Sequence, residues 1–175
     1  LRVGQALDQW RDGGINKNSY YSNNNTGGGV MYELSHEIDL ALWIFGNPIN
    51  FQHKSMNLRH KELQINDFFT SIWEYKDIIG EVHMDMIDPV YTRSIEVIFS
   101  DYKLVWSIDN DSLIKKFNNK TLLVHENKDF LRQDLIKASI INFIRWVEGE
   151  EDWNGATLEE SLPLLTFFER VENEK

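Results

Sequence analysis

The sequence predicts an α+β domain: one open, mostly antiparallel sheet of about six strands with helices on one face. Three observations predict it. Apolar residues recur every three or four positions over 30–46, every second position over 49–125, and every three or four again over 130–173. The breaks between the period-two runs are short and polar, as hairpins require. The chain has 175 residues, 42% of them hydrophobic, which is enough for one core and too few for two.

The expected layout is a single domain over 1–175, with an opening strand and loop (1–29), a helix (30–46), the sheet (49–125) and C-terminal helices (130–173). LRVGQAL has strand character from its first residue. A chain that opens in mid-strand is expected to be a piece of a longer protein. RDGGINKNSYYSNNNTGGG is rich in Gly, Asn and Ser, which favour turns, so residues 11–29 are a long loop. Loops of that length in a compact domain are commonly functional.

Val30, Met31, Leu34, Ile38, Ala41, Leu42 and Phe45 carry the helical spacing, and Gly46 with Pro48 stops it. Strands are expected at 49–59, 65–75, 78–87, 92–100, 103–108 and 121–125. The breaks at Lys76–Asp77 and Asp101–Tyr102 lack the Asn-Gly signature, so their turn types stay open. Leu131, Leu135, Ala138, Ile141, Phe143, Ile144 and Val147 give the next helix, ending before Gly149. Thr157 with Glu160 is a capping-box pattern that starts the last helix, with Pro163 expected near its first turn. Trp146, Trp153, Phe167 and Phe168 are expected in the core. An open sheet must cover its second face or keep it polar. Glu81, His83 and Asp85 are polar candidates for that face, and Trp73, Tyr75 and Trp106 are expected partly exposed there, which points to an interface with another chain or domain.

Composition excludes several classes. There is no cysteine, hence no disulfide, thiolate metal site or cysteine nucleophile, and the expected location is the cytoplasm. A net charge of −10 with scattered Lys and Arg speaks against a nucleic-acid surface. No run reaches the roughly 18 apolar residues of a membrane span, so no membrane partner is expected.

The chemistry concentrates in GGGVMYELSHEIDLALWIFG. Glycines let the backbone approach a ligand closely before a helix starts. His36 has Glu33 three residues before it and Asp39 three after, a spacing that shares a helix face, so either carboxylate is placed to orient an acid/base imidazole. The alternative, a histidine that satisfies one hydrogen bond above a solvated stripe of Glu33, Glu37 and Asp39, stays open on spacing alone.

The run GGGVMYELSHEIDLALWIFGNP resembles the segment that opens the C-terminal domain of the Gfo/Idh/MocA oxidoreductases. The shared features are Gly27–Gly28, Glu33, His36, Asp39, Trp43, Gly46 and Pro48. GQALDQWRDG, Tyr21–Ser22 and RSIEVIFSDYKLVW extend the resemblance to a sugar-modifying branch with the His-Glu-Ile-Asp form. Many members carry Asp four residues before the histidine, where this chain has Tyr32. The resemblance implies a two-domain enzyme that transfers hydride between NAD or NADP and a sugar, sugar acid or nucleotide-sugar, with His36, Glu33 and Asp39 as catalytic residues. It also implies that the Rossmann domain is absent from this chain. No G-x-G-x-x-G follows a strand, so the fragment alone is expected to bind no nicotinamide and to be inactive, with only Gly28 and Gly29 coming near it. A homo-oligomer through the open sheet face is the expected assembly.

Other constellations carry less. Glu81, His83 and Asp85 alternate on one strand, but a solvated sheet face explains them and no metal is expected. His53, His60 and His125 read as surface or loop residues. Trp10, Arg11, Tyr20 and Tyr21 are suited to stacking on and hydrogen-bonding a sugar-type substrate, or to packing the loop. Arg93 is suited to an acidic group on the substrate, or to pairing with Glu96 or Asp88. Two other classes stay open: a non-catalytic sheet module for protein association, and a non-redox sugar lyase or epimerase.

Overall fold

A computed structural model describes residues 1–10, 15–108, 110–129 and 131–174. Strand β1 (Arg2–Gly4) and the short helix α1 (Leu7–Trp10) precede the loop. Helices α2 (Val30–Glu33) and α3 (Ser35–Phe45) follow it. Then come β2 (Asn50–Met56), β3 (Phe68–Glu74), β4 (Ile79–Asp85), β5 (Thr92–Ile98), β6 (Lys103–Ser107), β7 (Ser112–Phe117) and β8 (Lys120–Glu126), and finally α4 (Arg132–Val147) and α5 (Leu158–Asn173).

The sheet is open and has eight strands rather than six, in the order β2-β3-β4-β1-β5-β6-β7-β8. One addition is the opening strand, which inserts between β4 and β5, parallel to the first and antiparallel to the second. The other is β7, which the Lys115–Lys116 pair disguised. It returns to β8 through Asn118 and Asn119, both left-handed with φ of 44° and 59°. Asn tolerates that region, so the pair makes the tight hairpin that Asn-Gly would have signalled.

The helix expected over 30–46 is broken. Leu34, at φ −108° and ψ 24°, separates α2 from α3. The break is tight, with the Glu37 amide donating to the Leu34 carbonyl at 2.9 Å. Gly28 cannot carry a side chain: a Cβ there would meet the Tyr21 carbonyl oxygen at 2.5 Å. The glycine run therefore packs loop against helix.

Val3, Phe51, Phe69, Trp73, Val82 and Met84 on the inner sheet face meet Val30, Met31, Leu34, Ile38, Ala41 and Leu42 of the two helices. From α5, Phe167 closes this core against Phe51 and Trp73 at 4.6 and 5.1 Å between ring centroids. Trp73 is therefore buried, not partly exposed. It registers with Gly80, one residue away from Glu81, and the period of two puts it on the face opposite the Glu81–His83–Asp85 row. Trp106 shares the inner face, opposite Ile95. The outer face instead exposes Ile72, Ile79 and Ile98.

Two further expectations are corrected. Trp146 and Trp153 are not core residues: they form an aromatic group with Phe143, 5.3 Å apart, on the exposed side of α4. Pro163 is the sixth residue of α5, in its second turn, where it removes the amide that would bond the Glu159 carbonyl. Among the described residues no helix is long and apolar enough to cross a membrane.

Candidate active site

The break at Leu34 and the pairing of β1 with β5 bring four residues together. Arg93 registers with Val3 and so stands on the inner sheet face, beneath α3. Glu37 lies in the apolar stripe of α3, between Leu34 and Ala41, and its side chain is 0% exposed. Arg93 Nε lies 2.7 Å from Glu37 Oε1, and His36 Nε2 lies 3.2 Å from the same oxygen. His36 itself is half-exposed, at 51%. Trp10, Gln5, Tyr91, Val3 and Leu34 complete the walls of a cavity of about 30 Å³. That is room for one water or one hydroxyl.

A buried carboxylate needs a partner charge and hydrogen bonds. Arg93 supplies the charge. Among the described residues neither Glu37 oxygen nor Arg93 Nε makes an aligned hydrogen bond, so the carboxylate keeps acceptor capacity facing the cavity. With Nε2 turned to Glu37, Nδ1 is the ring atom left for exchange with a ligand.

Of the residues singled out in the sequence, the structure gathers Trp10, His36 and Arg93. Arg93 takes neither Glu96, which pairs with Lys103 at 2.6 Å, nor Asp88, which pairs with Arg2 at 3.2 Å. Glu33 and Asp39 are half-buried, and neither lines the cavity. Arg11 lies outside the described residues. Tyr21 is buried, and its hydroxyl accepts from the Asn16 amide at 2.9 Å, which fixes the loop. Gly28 and Gly29 line a different cavity of about 550 Å³, with Tyr32, His53 and Glu172. Tyr32 binds α2 to α5 by donating to Glu172, and burial together with that bond pushes its hydroxyl up to about 12.

The sequence reading missed Glu37. It sits three after Leu34 and four before Ala41, inside the apolar stripe, and an acidic residue there is the mark of a buried, paired charge. His60 is likewise buried rather than superficial, its ring against the Met86 carbonyl at 3.3 Å. On the outer face His83 and Asp85 lie 2.8 Å apart. Burial works to raise the Asp85 carboxyl. The bonds from His83 and the Ile87 and Asp88 amides outweigh it and hold the group below its ordinary value. No cluster of metal-ligating side chains occurs among the described residues.

An open eight-stranded sheet with helices covering one face defines the class as an α+β domain. Residues 3–105 match the model of the GFO/IDH/MocA C-terminal domain, and the chain belongs to that family. No curated protein matches the chain. Among solved structures, a protein from Desulfitobacterium hafniense assigned as an NADPH-dependent oxidoreductase superposes with a TM-score of 0.72 at 14% identity, over 93% of this chain and 49% of its own. UDP-N-acetylglucosamine 3-dehydrogenase GnnA from Acidithiobacillus ferrooxidans gives 0.62 at 13%, over 80% and 45%. The WlbA dehydrogenase from Bordetella pertussis, in complex with NADH and UDP-GlcNAcA, gives 0.56 at 13%, over 95% and 48%. The chain thus spans about half the length of these structures, and the likeness at such identities is one of fold.

Proposed function

We propose that this chain is the substrate-binding half of an NAD(P)-dependent oxidoreductase acting on a sugar, sugar acid or nucleotide-sugar, with His36 as the acid/base. The observation that carries this reading is the buried Arg93–Glu37 pair against the His36 ring, at the mouth of a cavity walled by Trp10. An indole beside a small polar cavity suits the C–H face and one hydroxyl of a sugar. The family and the nucleotide-sugar complex of the Bordetella pertussis neighbour support the substrate class.

The residues present do not fit a dinucleotide. The sheet's parallel pairing among the described residues is β1 with β4, no glycine-rich turn links a strand to a helix there, and Gly28 and Gly29 pack against Tyr21 and Asn24. The nicotinamide therefore belongs to the part of the protein outside this chain, and the work left to this chain is proton transfer. His36 Nδ1 receives the proton of a substrate hydroxyl as that carbon is oxidised, and returns it in reduction. Glu37 fixes the ring and steadies the positive charge it then carries, while Arg93 holds Glu37 in place from the sheet side. Glu33 and Asp39, three residues to either side, are the competing carboxylates. Location in the cytoplasm and a homo-oligomer formed through the outer sheet face, with its exposed isoleucines, belong to the same proposal.

The test pairs two samples. The longer protein that includes the upstream half should turn over nicotinamide with UDP-N-acetylglucosamine or a related uronic acid, followed by cofactor absorbance. The 175-residue chain should show neither turnover nor saturable NAD(H) binding by calorimetry. Tight binding of NAD(H) by the chain alone contradicts the division of labour. A longer protein that is inert with every sugar and cofactor pairing supports the association module instead.

A further inference from the structure

Helix α4 has 16 residues, and every one whose side chain is described, Asn142 apart, is exposed. No strand and no other helix packs along it. Its sequence is nevertheless built to be covered. Ile136, Ile140, Phe143 and Val147, at steps of four, three and four, share one face and are 61%, 55%, 50% and 64% exposed. A helix of this length is marginal in water by itself and draws its stability from burying such a face. The sheet has a bare stretch to match. Trp106 registers with Leu113 and Leu104 with Lys115 on the inner face of β6 and β7, and no described helix packs along them.

We propose that α4 is an exchanged arm: its apolar face covers the inner face of β6 and β7 in a second copy of the chain, whose own α4 returns the contact. The first reason is that α4 is held off its own sheet. At its start the Asn127 amide donates to the Asp111 carbonyl at 3.2 Å, which ties the exit from β8 to the β6–β7 turn. At its end Arg145 pairs with Glu151 at 2.8 Å, Asn142 donates to Asn154 at 2.8 Å, and Trp153 packs on Trp146. The following helix, α5, is anchored in the core by Phe167 and Val171. Folding α4 back onto its own strands would break this clamp. Held at both ends, the helix presents its apolar face outward.

The second reason is charge. The β7–β8 hairpin over 112–120 carries Lys115, Lys116 and Lys120 and no acidic residue. The turn that ends α4, over 148–152, carries Glu148, Glu150, Glu151 and Asp152 and no basic one. Glu151 has Arg145, and Lys115 lies over the Tyr102 ring at 3.7 Å. Among the described residues Lys116 and Lys120 on the hairpin, and Glu150 and Asp152 on the turn, have no ion-pair partner. An apolar stripe with an acidic end thus matches an apolar strip with a basic end, and such matching sets orientation between partners. Because each copy carries both halves, two copies satisfy each other and the assembly closes as a two-fold dimer. This contact uses the inner sheet face and leaves the outer face, with its isoleucines, untouched.

Disulfide trapping tests the exchange, since these 175 residues contain no cysteine. The longer protein carrying Ile140→Cys, in the middle of the stripe, is mixed with the longer protein carrying Leu113→Cys, in the bare strip, any upstream cysteine being changed to serine. Mild oxidation should give a mixed disulfide dimer at about 10-fold or more the yield of either protein alone. Adding Lys116→Glu and Lys120→Glu to the Leu113→Cys protein should cut that yield by about 10-fold, and adding Glu150→Lys and Asp152→Lys to the Ile140→Cys protein should restore it. A yield indifferent to these charges overturns the proposal. So does a protein carrying both cysteines that closes within one chain while the mixture stays uncrosslinked, because α4 would then cover its own sheet. No disulfide in either sample also overturns it, since another part of the protein would then cover the helix.

Discussion

At the scale of single residues the site turns on Glu37. A carboxylate with no exposure, held 2.7 Å from one guanidinium nitrogen, depends on that partner. Removing one member of such a pair leaves the other buried and uncompensated, at a cost of about 3–5 kcal/mol. Arg93→Met should therefore lower stability by that amount in chemical denaturation, and Glu37→Met in the Arg93→Met background should recover part of it. If the double variant is no more stable than Arg93→Met, the pairing is not the cause. In the longer protein, Glu37→Gln should reduce kcat more than either Glu33→Gln or Asp39→Asn. The opposite ranking returns the orienting role to the carboxylates that spacing favoured. His36 and Arg93 were visible in the sequence as single residues. Glu37 was also visible, but its position in the apolar stripe counted for less than its charge, because periodicity weighs side chains one at a time and a buried pair involves a strand 56 residues away.

At the scale of elements, short polar links do much of the holding. The β4–β5 link is tied down by Asp85, the last residue of β4, whose carboxylate takes the Ile87 and Asp88 amides at 3.0 and 2.7 Å. Its folded-state value lies below the ordinary 3.8, so the stability it adds is present above that value and is lost as pH falls through the lower, folded one. Asp85→Asn should melt below the parent at neutral pH, with the gap narrowing under acid. A constant gap from neutral to acid would show that the charge is irrelevant. On α5 both halves of the capping box form: the Thr157 amide donates to Glu160 at 2.8 Å and the Glu160 amide to Thr157 at 3.3 Å. That cap was legible because it is written within four residues. The hairpin at Asn118–Asn119 was equally local and was missed, since Asn-Asn is a weaker signal than Asn-Gly and two lysines broke the alternation of β7. The break at Leu34 carries no breaker residue at all, so no local signal marks it, and Leu34 itself is buried in the core.

At the scale of the whole molecule the covering layer is uneven. α3 and α5 cover the sheet from β2 to β1, whereas α4 leaves Leu135, Ile140, Phe143 and Ile144 facing solvent. The α+β class and the sheet-then-helices order were legible because they follow from periodicity. The place of β1 was not, because a three-residue strand finds its neighbours only through pairings about 80 residues away. Its insertion is what brings Trp10 and Arg93 to His36, so the site depends on the one pairing that sequence pattern could not show. The most direct measurement is steady-state kinetics of His36→Asn in the longer protein, alongside its melting temperature. The predicted result is a fall in kcat of about 100-fold or more with melting within a few degrees of the parent. Turnover that survives the substitution, or that falls only in step with melting, would contradict a proton-transfer role for His36.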